Sequence, residues 1–188
     1  MTSVKINRES GLLENAIMTL SPNYDERPDK NDISGIVIHN ISLPPGEFGD
    51  TFIDDLFLNK LDCSAHPYFQ QLEGLKVSSH LLIRRTGDIV QFVPFHARAW
   101  HAGVSQWQGR ERCNDFTIGI ELEGCDEMPF EHLQYEALAE VIMTLCKTYP
   151  MLTHEKITGH EHIAPGRKTD PGPYFDWQKL TKMLDRQT

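Results

Sequence analysis

The chain has 188 residues, of which 39% are hydrophobic, 24% charged and 9% aromatic. That suits one ordered domain over residues 1–188 and excludes a disordered or low-complexity protein. Its 18 basic and 27 acidic residues give a formal charge of −9, the wrong sign for binding a phosphate polymer, so nucleic acid is excluded as a partner.

Residues 1–30, with Ser21-Pro22-Asn23 and Arg27-Pro28-Asp29, read as a loop-rich segment packed on the rest. Gly35 to Ile41 is a continuous apolar run whose β-branched residues predict a buried central strand, ended by Pro44-Pro45-Gly46. Thr51 to Leu58 predicts a short helix. Ser79–Arg84 and Ile89–Val93 predict two strands joined by a turn at Arg85-Thr86-Gly87-Asp88. Phe116 to Glu123 reads as a further strand. Leu133, Ala137, Leu138, Val141, Ile142, Leu145 and Tyr149 share one stripe of a long helix that Pro150 stops. A last strand near Lys156–Thr158 precedes an irregular loop, Gly159–Pro173, and Asp176 caps a closing helix, Trp177–Leu184. Strands interleaved with helices and a hairpin predict an α/β (α+β) fold with one mixed central sheet flanked by helices.

No run approaches the ~18 apolar residues of a membrane span, and the first dozen residues hold no apolar signal core. Cys63, Cys113, Cys125 and Cys146 show no C-x-x-C spacing. Together these predict a cytoplasmic protein with no membrane partner. The local basic groups Arg84–Arg85, Arg110 with Arg112, and Arg167–Lys168 are each read most simply as solvated charge, although any of them can receive a small anion.

The 159–173 loop places His160, His162 and Asp170 among three prolines and three glycines. Proline fixes φ and glycine permits sharp turns, so such a loop can hold a preorganised site. Imidazole plus carboxylate is a ligand set typical of catalytic zinc. His160 and His162, two apart, face opposite ways if extended, so one binds metal and the other does not; incidental histidines in a polar loop are the alternative. Glu121 and Glu123 sit on one side of an apolar strand, where a carboxylate is costly to bury unless it is paired or functional. From the residues alone, either is a base for a zinc site or the partner of an arginine. His39, at a strand end, is by itself as well read as a hydrogen-bonded core histidine.

The stretches Val37–Gly49, His66–Phe69, Ala99–Ser105, Gly109–Phe116, Ile118–Gly124 and Gly159–Pro173 run in order from about Ser21 to Trp177. They resemble the AmpD-type amidases, the 1,6-anhydro-N-acetylmuramyl-L-alanine amidases of bacterial cell-wall recycling, on an amidase/peptidoglycan-recognition-like fold. The resemblance implies one Zn2+ per chain held by His39, His160 and Asp170. It also implies Glu121 as acid/base and Lys168 as the group that polarises the scissile carbonyl. Asn40 and Arg112 match residues that contact sugar and peptide, and Trp100 and His101 lie in a motif lining the groove. The implied substrate is a small anionic muropeptide, cut between muramic acid and L-alanine by a monomeric enzyme. Two departures stand out. His162 replaces a common Asp or Asn, and Lys76 stands where an arginine can occur, which keeps the charge but loses the bidentate fork.

Two other functions fit the same fold: a lytic amidase acting on intact murein, and a non-catalytic muropeptide-binding module. A binding module typically lacks a metal ligand, whereas His39, His160 and Asp170 are all present. A cupin-like oxygenase, raised by the His-Glu-His triplet, lacks its further downstream glutamate.

Overall fold

The computed structural model describes residues 4–186. Among them, six strands form the central sheet: β1 (Ile17–Met18), β2 (Gly35–Ile41), β3 (Leu81–Ile83), β4 (Ile89–Gln91), β5 (Thr117–Glu123) and β6 (Ile157–Gly159). Their order across the sheet is β6-β2-β5-β3-β4-β1. All neighbours are parallel except the antiparallel hairpin of β3 and β4. The helices are α1 (Phe52–Phe57), α2 (His132–Thr148), α3 (His160–Ile163) and α4 (Trp177–Asp185). The predicted mixed α/β arrangement is therefore the observed one.

The two long strands at the centre are apolar on both faces because both faces are covered, as parallel strands require. Strand alternation sends Ile36, Ile38, Ile118, Ile120 and Leu122 to one side. There they pack with Leu138, Val141, Ile142 and Leu145 of α2 and Leu180 and Leu184 of α4. On the other side, Leu82 and Val90 join Phe57, Phe69 and Phe92 in a second cluster. Val37 joins Ala102, Phe116 and Ile163 in a third. His39, Glu121 and Leu82 form one row across β2, β5 and β3 on that same side.

α2 is tied to the sheet by a buried polar side chain as well as by its apolar stripe. Gln134 Nε2 donates to the carbonyls of Ile83 and Glu123, at the ends of β3 and β5, while its Oε1 accepts the Glu131 N–H and so caps the helix. Asp176 caps α4 as expected, accepting from Lys179 N at 2.9 Å.

Three expectations need correction. Leu133 belongs to the helical stripe by spacing, yet it is 47% exposed, because in the first turn of α2 the stripe has not reached the sheet. Residues 1–30 are not simply loop. Ile6–Asn7 pairs with Leu12–Leu13, Ile17–Met18 adds an edge to the central sheet, and Tyr24–Glu26 pairs with Ala97–Ala99. These strands are short and mostly exposed, so they carry no apolar run or alternation to be read. The 159–173 loop also opens with a turn of helix, α3. At about 100° per residue this still points His160 and His162 apart, so the expected divergence holds for a different reason.

Arg27, within the loop-rich segment, is buried. It donates to the carbonyls of Phe95, Asn114, Asp115 and Thr117, which fastens the segment behind the sheet. Burial lowers its pKa to about 10, so it remains charged at neutral pH.

Packing predicts a contrast within α2. Leu138→Ala should cost about 2–5 kcal/mol in urea unfolding, whereas Leu133→Ala should cost less than about 1 kcal/mol. Equal losses would contradict the orientation of the helix.

Candidate active site

β2 and β6 are parallel neighbours, so the end of one lies beside the end of the other. His39 stands near the end of β2, and His160 opens α3 directly after β6. The loop then returns Asp170 to the same place, held by the Glu161 N–H donating to the Asp170 carbonyl at 2.9 Å. Asp170 Oδ2 is 2.9 Å from His39 Nδ1 and 3.0 Å from His160 Nδ1, and the two nitrogens are 3.0 Å apart. Three donor atoms thus form a nearly equilateral triangle.

This donor set fits a zinc ion. Tetrahedral zinc, with bonds of about 2.0–2.1 Å, sets its ligand atoms roughly 3.3 Å apart, close to the spacing observed. His39 is 1% exposed, and burial lowers its pKa to about 4 despite the neighbouring Asp170 carboxylate, so the ring is neutral and able to ligate at pH 7. Among the described residues, these three form a His/Asp cluster able to hold a metal. His162 is outside it, with its side chain 59% exposed.

The triangle opens into a cavity of about 510 Å3 lined by His39, Glu121, His160, Lys168 and Asp170, with Asn40 and Trp100. Register places Glu121 directly opposite His39. Its Oε2 is buried and accepts no hydrogen bond. Burial raises its pKa well above the ordinary carboxylate value, and the Asp170 charge adds to this against the opposing effect of Lys168. A carboxyl so placed is poised to carry a proton. Glu123 has the other role left open by the sequence. Its carboxylate accepts from Arg84 Nη1 and from the backbone N–H groups of Gly49 and Arg85.

The remaining predicted residues divide. Asn40 Nδ2 donates to Asp126 Oδ1 at 2.7 Å and to the Pro171 carbonyl at 3.0 Å, which leaves its amide oxygen for the cavity. Trp100 lines the cavity from the side of Ser78, whose Oγ accepts the Trp100 N–H. His101 Nδ1 is 2.9 Å from His39 Nε2, so it lies behind a metal-triangle residue rather than only along the groove. Arg112 is not among the lining residues. Its backbone is left-handed at φ 59°, and its side chain, 71% exposed, turns to Asp115. Asp126, which carried no site signal in the sequence, also lines the cavity, as does Arg167, read there as solvated charge able to receive a small anion. Arg167 Nη2 donates to the Ala102 and Val104 carbonyls at 2.6 and 2.7 Å. A separate surface groove of about 550 Å3 along Pro129, Tyr135, Tyr174 and Trp177 contains none of the triangle residues.

Residues 29–173 match the family described as N-acetylmuramoyl-L-alanine amidase. The chain is 54% identical over 180 residues to the 1,6-anhydro-N-acetylmuramyl-L-alanine amidase AmpD of Escherichia coli (strain K12), covering 96% of this chain and 98% of that protein. It superposes on a crystal structure of a selenomethionine AmpD derivative with a TM-score of 0.92 at 54% identity, over 95% of this chain and 98% of the other. The amidase AmiD of Escherichia coli, solved with anhydro-N-acetylmuramic acid-L-Ala-D-gamma-Glu-L-Lys as substrate, is similar at a TM-score of 0.61 and 29% identity. That match covers 97% of this chain and 66% of AmiD. Family match, near-complete coverage and the residues of the cavity agree: the chain belongs to the N-acetylmuramoyl-L-alanine amidases, among those of the AmpD type.

Proposed function

We propose that this amidase is zinc-dependent and hydrolyses the amide bond between 1,6-anhydro-N-acetylmuramic acid and the L-alanine of small muropeptides, as part of peptidoglycan recycling. The observation that carries this reading is the triangle of His39, His160 and Asp170 beside the unpartnered carboxylate of Glu121. The activity of the similar AmpD amidases and the muropeptide bound by AmiD support this substrate. On this reading the enzyme works as a monomer in the cytoplasm, a compartment favoured by its four unpaired cysteines. No helix among the described residues is long and apolar enough to cross a membrane.

His39, His160 and Asp170 would hold the zinc, which when bound would supply Lewis acidity to water and to the scissile carbonyl. Glu121 takes the proton of the attacking water and returns it to the departing alanine amine. Its burial suits both halves of that cycle, because a raised pKa makes the carboxyl a competent acid after it has acted as base. Lys168 Nζ, free of hydrogen bonds and ion pairs among the described residues, donates to the oxyanion. Asn40 offers its amide oxygen to the substrate and Trp100 its ring. Arg112, outside the cavity lining, contributes by meeting a more distal part of the peptide.

Purified protein should release peptide rapidly from anhydro-muramyl tripeptide and leave intact murein sacculi nearly untouched, followed by mass spectrometry. Dialysis against a strong chelator should abolish this and zinc should restore it. Full activity in metal-free protein would sink the zinc assignment, and solubilised sacculi would make the enzyme lytic.

Glu121→Gln should retain zinc and lose at least about a hundredfold in rate. It should also change stability in metal-free protein. A carboxyl whose pKa is raised by folding favours the folded state below its unfolded value of about 4.5, and that contribution is lost as pH rises through the folded value. Urea unfolding should therefore show the variant to be more stable than wild type on the alkaline side, with the gap closing toward pH 4. Parallel pH–stability profiles would refute the buried, unpaired state of Glu121.

A further inference from the structure

We infer that the dipeptide His101–Ala102, fixed by Thr117 and Asn114, is the positioning element that sets which ring nitrogen each histidine presents to the metal. The inference rests on the zinc reading above and concerns groups behind the triangle, not in it. The hydrogen-bond network determines the protons in order. Thr117 Oγ1 donates its only hydrogen to the Cys113 carbonyl at 2.6 Å, so toward His101 Nε2, 3.3 Å away, it acts as acceptor. A neutral ring protonated at Nε2 keeps its lone pair at Nδ1. That lone pair accepts from His39 Nε2 at 2.9 Å. His39 then has no proton on Nδ1, the nitrogen that faces Asp170 and His160.

The second histidine is set by the next residue. The Ala102 carbonyl can only accept, and it lies 3.1 Å from His160 Nε2, nearer than the Arg167 Nη2 donor at 3.4 Å, so it favours a proton on Nε2 once zinc takes Nδ1. Without a metal, Asp170 Oδ2 takes a proton from one ring, and His160 Nδ1 at 3.0 Å can supply it; with zinc bound, both nitrogens would be bare and directed with Asp170 at the ion. The dipeptide itself is held by one side chain: Asn114 Oδ1 accepts the N–H of His101 at 3.1 Å and of Ala102 at 2.7 Å. Gly119 makes room for the arrangement, since a Cβ there would overlap the His101 ring. Arg167 Nη2 also donates to the Ala102 carbonyl and keeps it in place. Because both ring nitrogens of His101 are engaged, it cannot hydrogen-bond a substrate without releasing His39. Its engaged nitrogens give it an orienting role in addition to its place in the cavity lining.

Loss of such orienting groups typically weakens metal binding 10–100-fold. The test measures zinc affinity of the full chain by competition with a chromophoric chelator, together with 15N NMR of the histidine rings in metal-free protein. Wild type should show His101 and His39 protonated at Nε2. His101→Phe should weaken zinc binding by about 10–100-fold. His101→Asn, whose Oδ1 can accept in place of Nδ1, should recover most of the loss. Thr117→Val should give mixed protonation at His39 and a smaller loss of affinity. Circular dichroism of each metal-free variant controls for folding. If His101→Phe does not fold, the near-isosteric Thr117→Val decides. Wild-type zinc affinity in the folded His101→Phe protein, unchanged protonation and affinity in Thr117→Val, or a wild-type His39 protonated at Nδ1 would each overturn the inference. Wild type that binds no zinc would overturn the metal reading alone, since the ring protonation states still decide this one.

Discussion

The parallel pairing of β2 with β5 is the constraint from which the site follows. Seven residue pairs run from Gly35–Thr117 to Ile41–Glu123, and the fifth sets His39 opposite Glu121. Side chains alternate across a sheet, so a slip of one residue would send His39 or Glu121 into the apolar layer under α2. The register is strongly specified because both layers are packed, by Ile36, Ile38, Ile118, Ile120 and Leu122 on one side and by Val37 and Leu82 on the other. The apolar core thereby fixes a polar geometry.

That geometry carries an electrostatic tension. His39, Glu121 and Asp170 share a pocket that burial makes inhospitable to charge, and the structure answers differently at each. His39 is kept neutral, Glu121 is pushed toward protonation, and Asp170 lies against two imidazoles. Two residues further along the same strand, Glu123 has a similar degree of burial but is satisfied by Arg84 and two backbone N–H groups. One carboxylate stabilises the fold, while the other is left without a partner, as an acid/base requires.

Behind the site the scaffold is polar. Arg27 gathers four backbone carbonyls around the Cys113–Asp115 turn, and Asn114 in that turn holds His101 and Ala102. A segment near the amino terminus therefore reaches the metal triangle through backbone groups, without supplying a ligand.

How much of this was legible in the sequence depended on the range of the interaction. The long strands Gly35–Ile41 and Thr117–Glu123, the helix over His132–Thr148 and the Asp176 cap were readable because apolar periodicity and capping are local. The candidate zinc and catalytic residues His39, Glu121, His160, Lys168 and Asp170 could be named from motifs shared with a family, and the fold brings all five to one cavity. The short strands before Arg27, the burial of Arg27, the exposure of Leu133 and the outward turn of Arg112 left no such trace. Each depends on which distant backbone or core surface lies nearby. For the same reason only tertiary structure separated Glu121 from Glu123 and moved His101 behind His39. Residue types and spacing determined which groups were available for chemistry, and three-dimensional packing decided which of them were left without a partner.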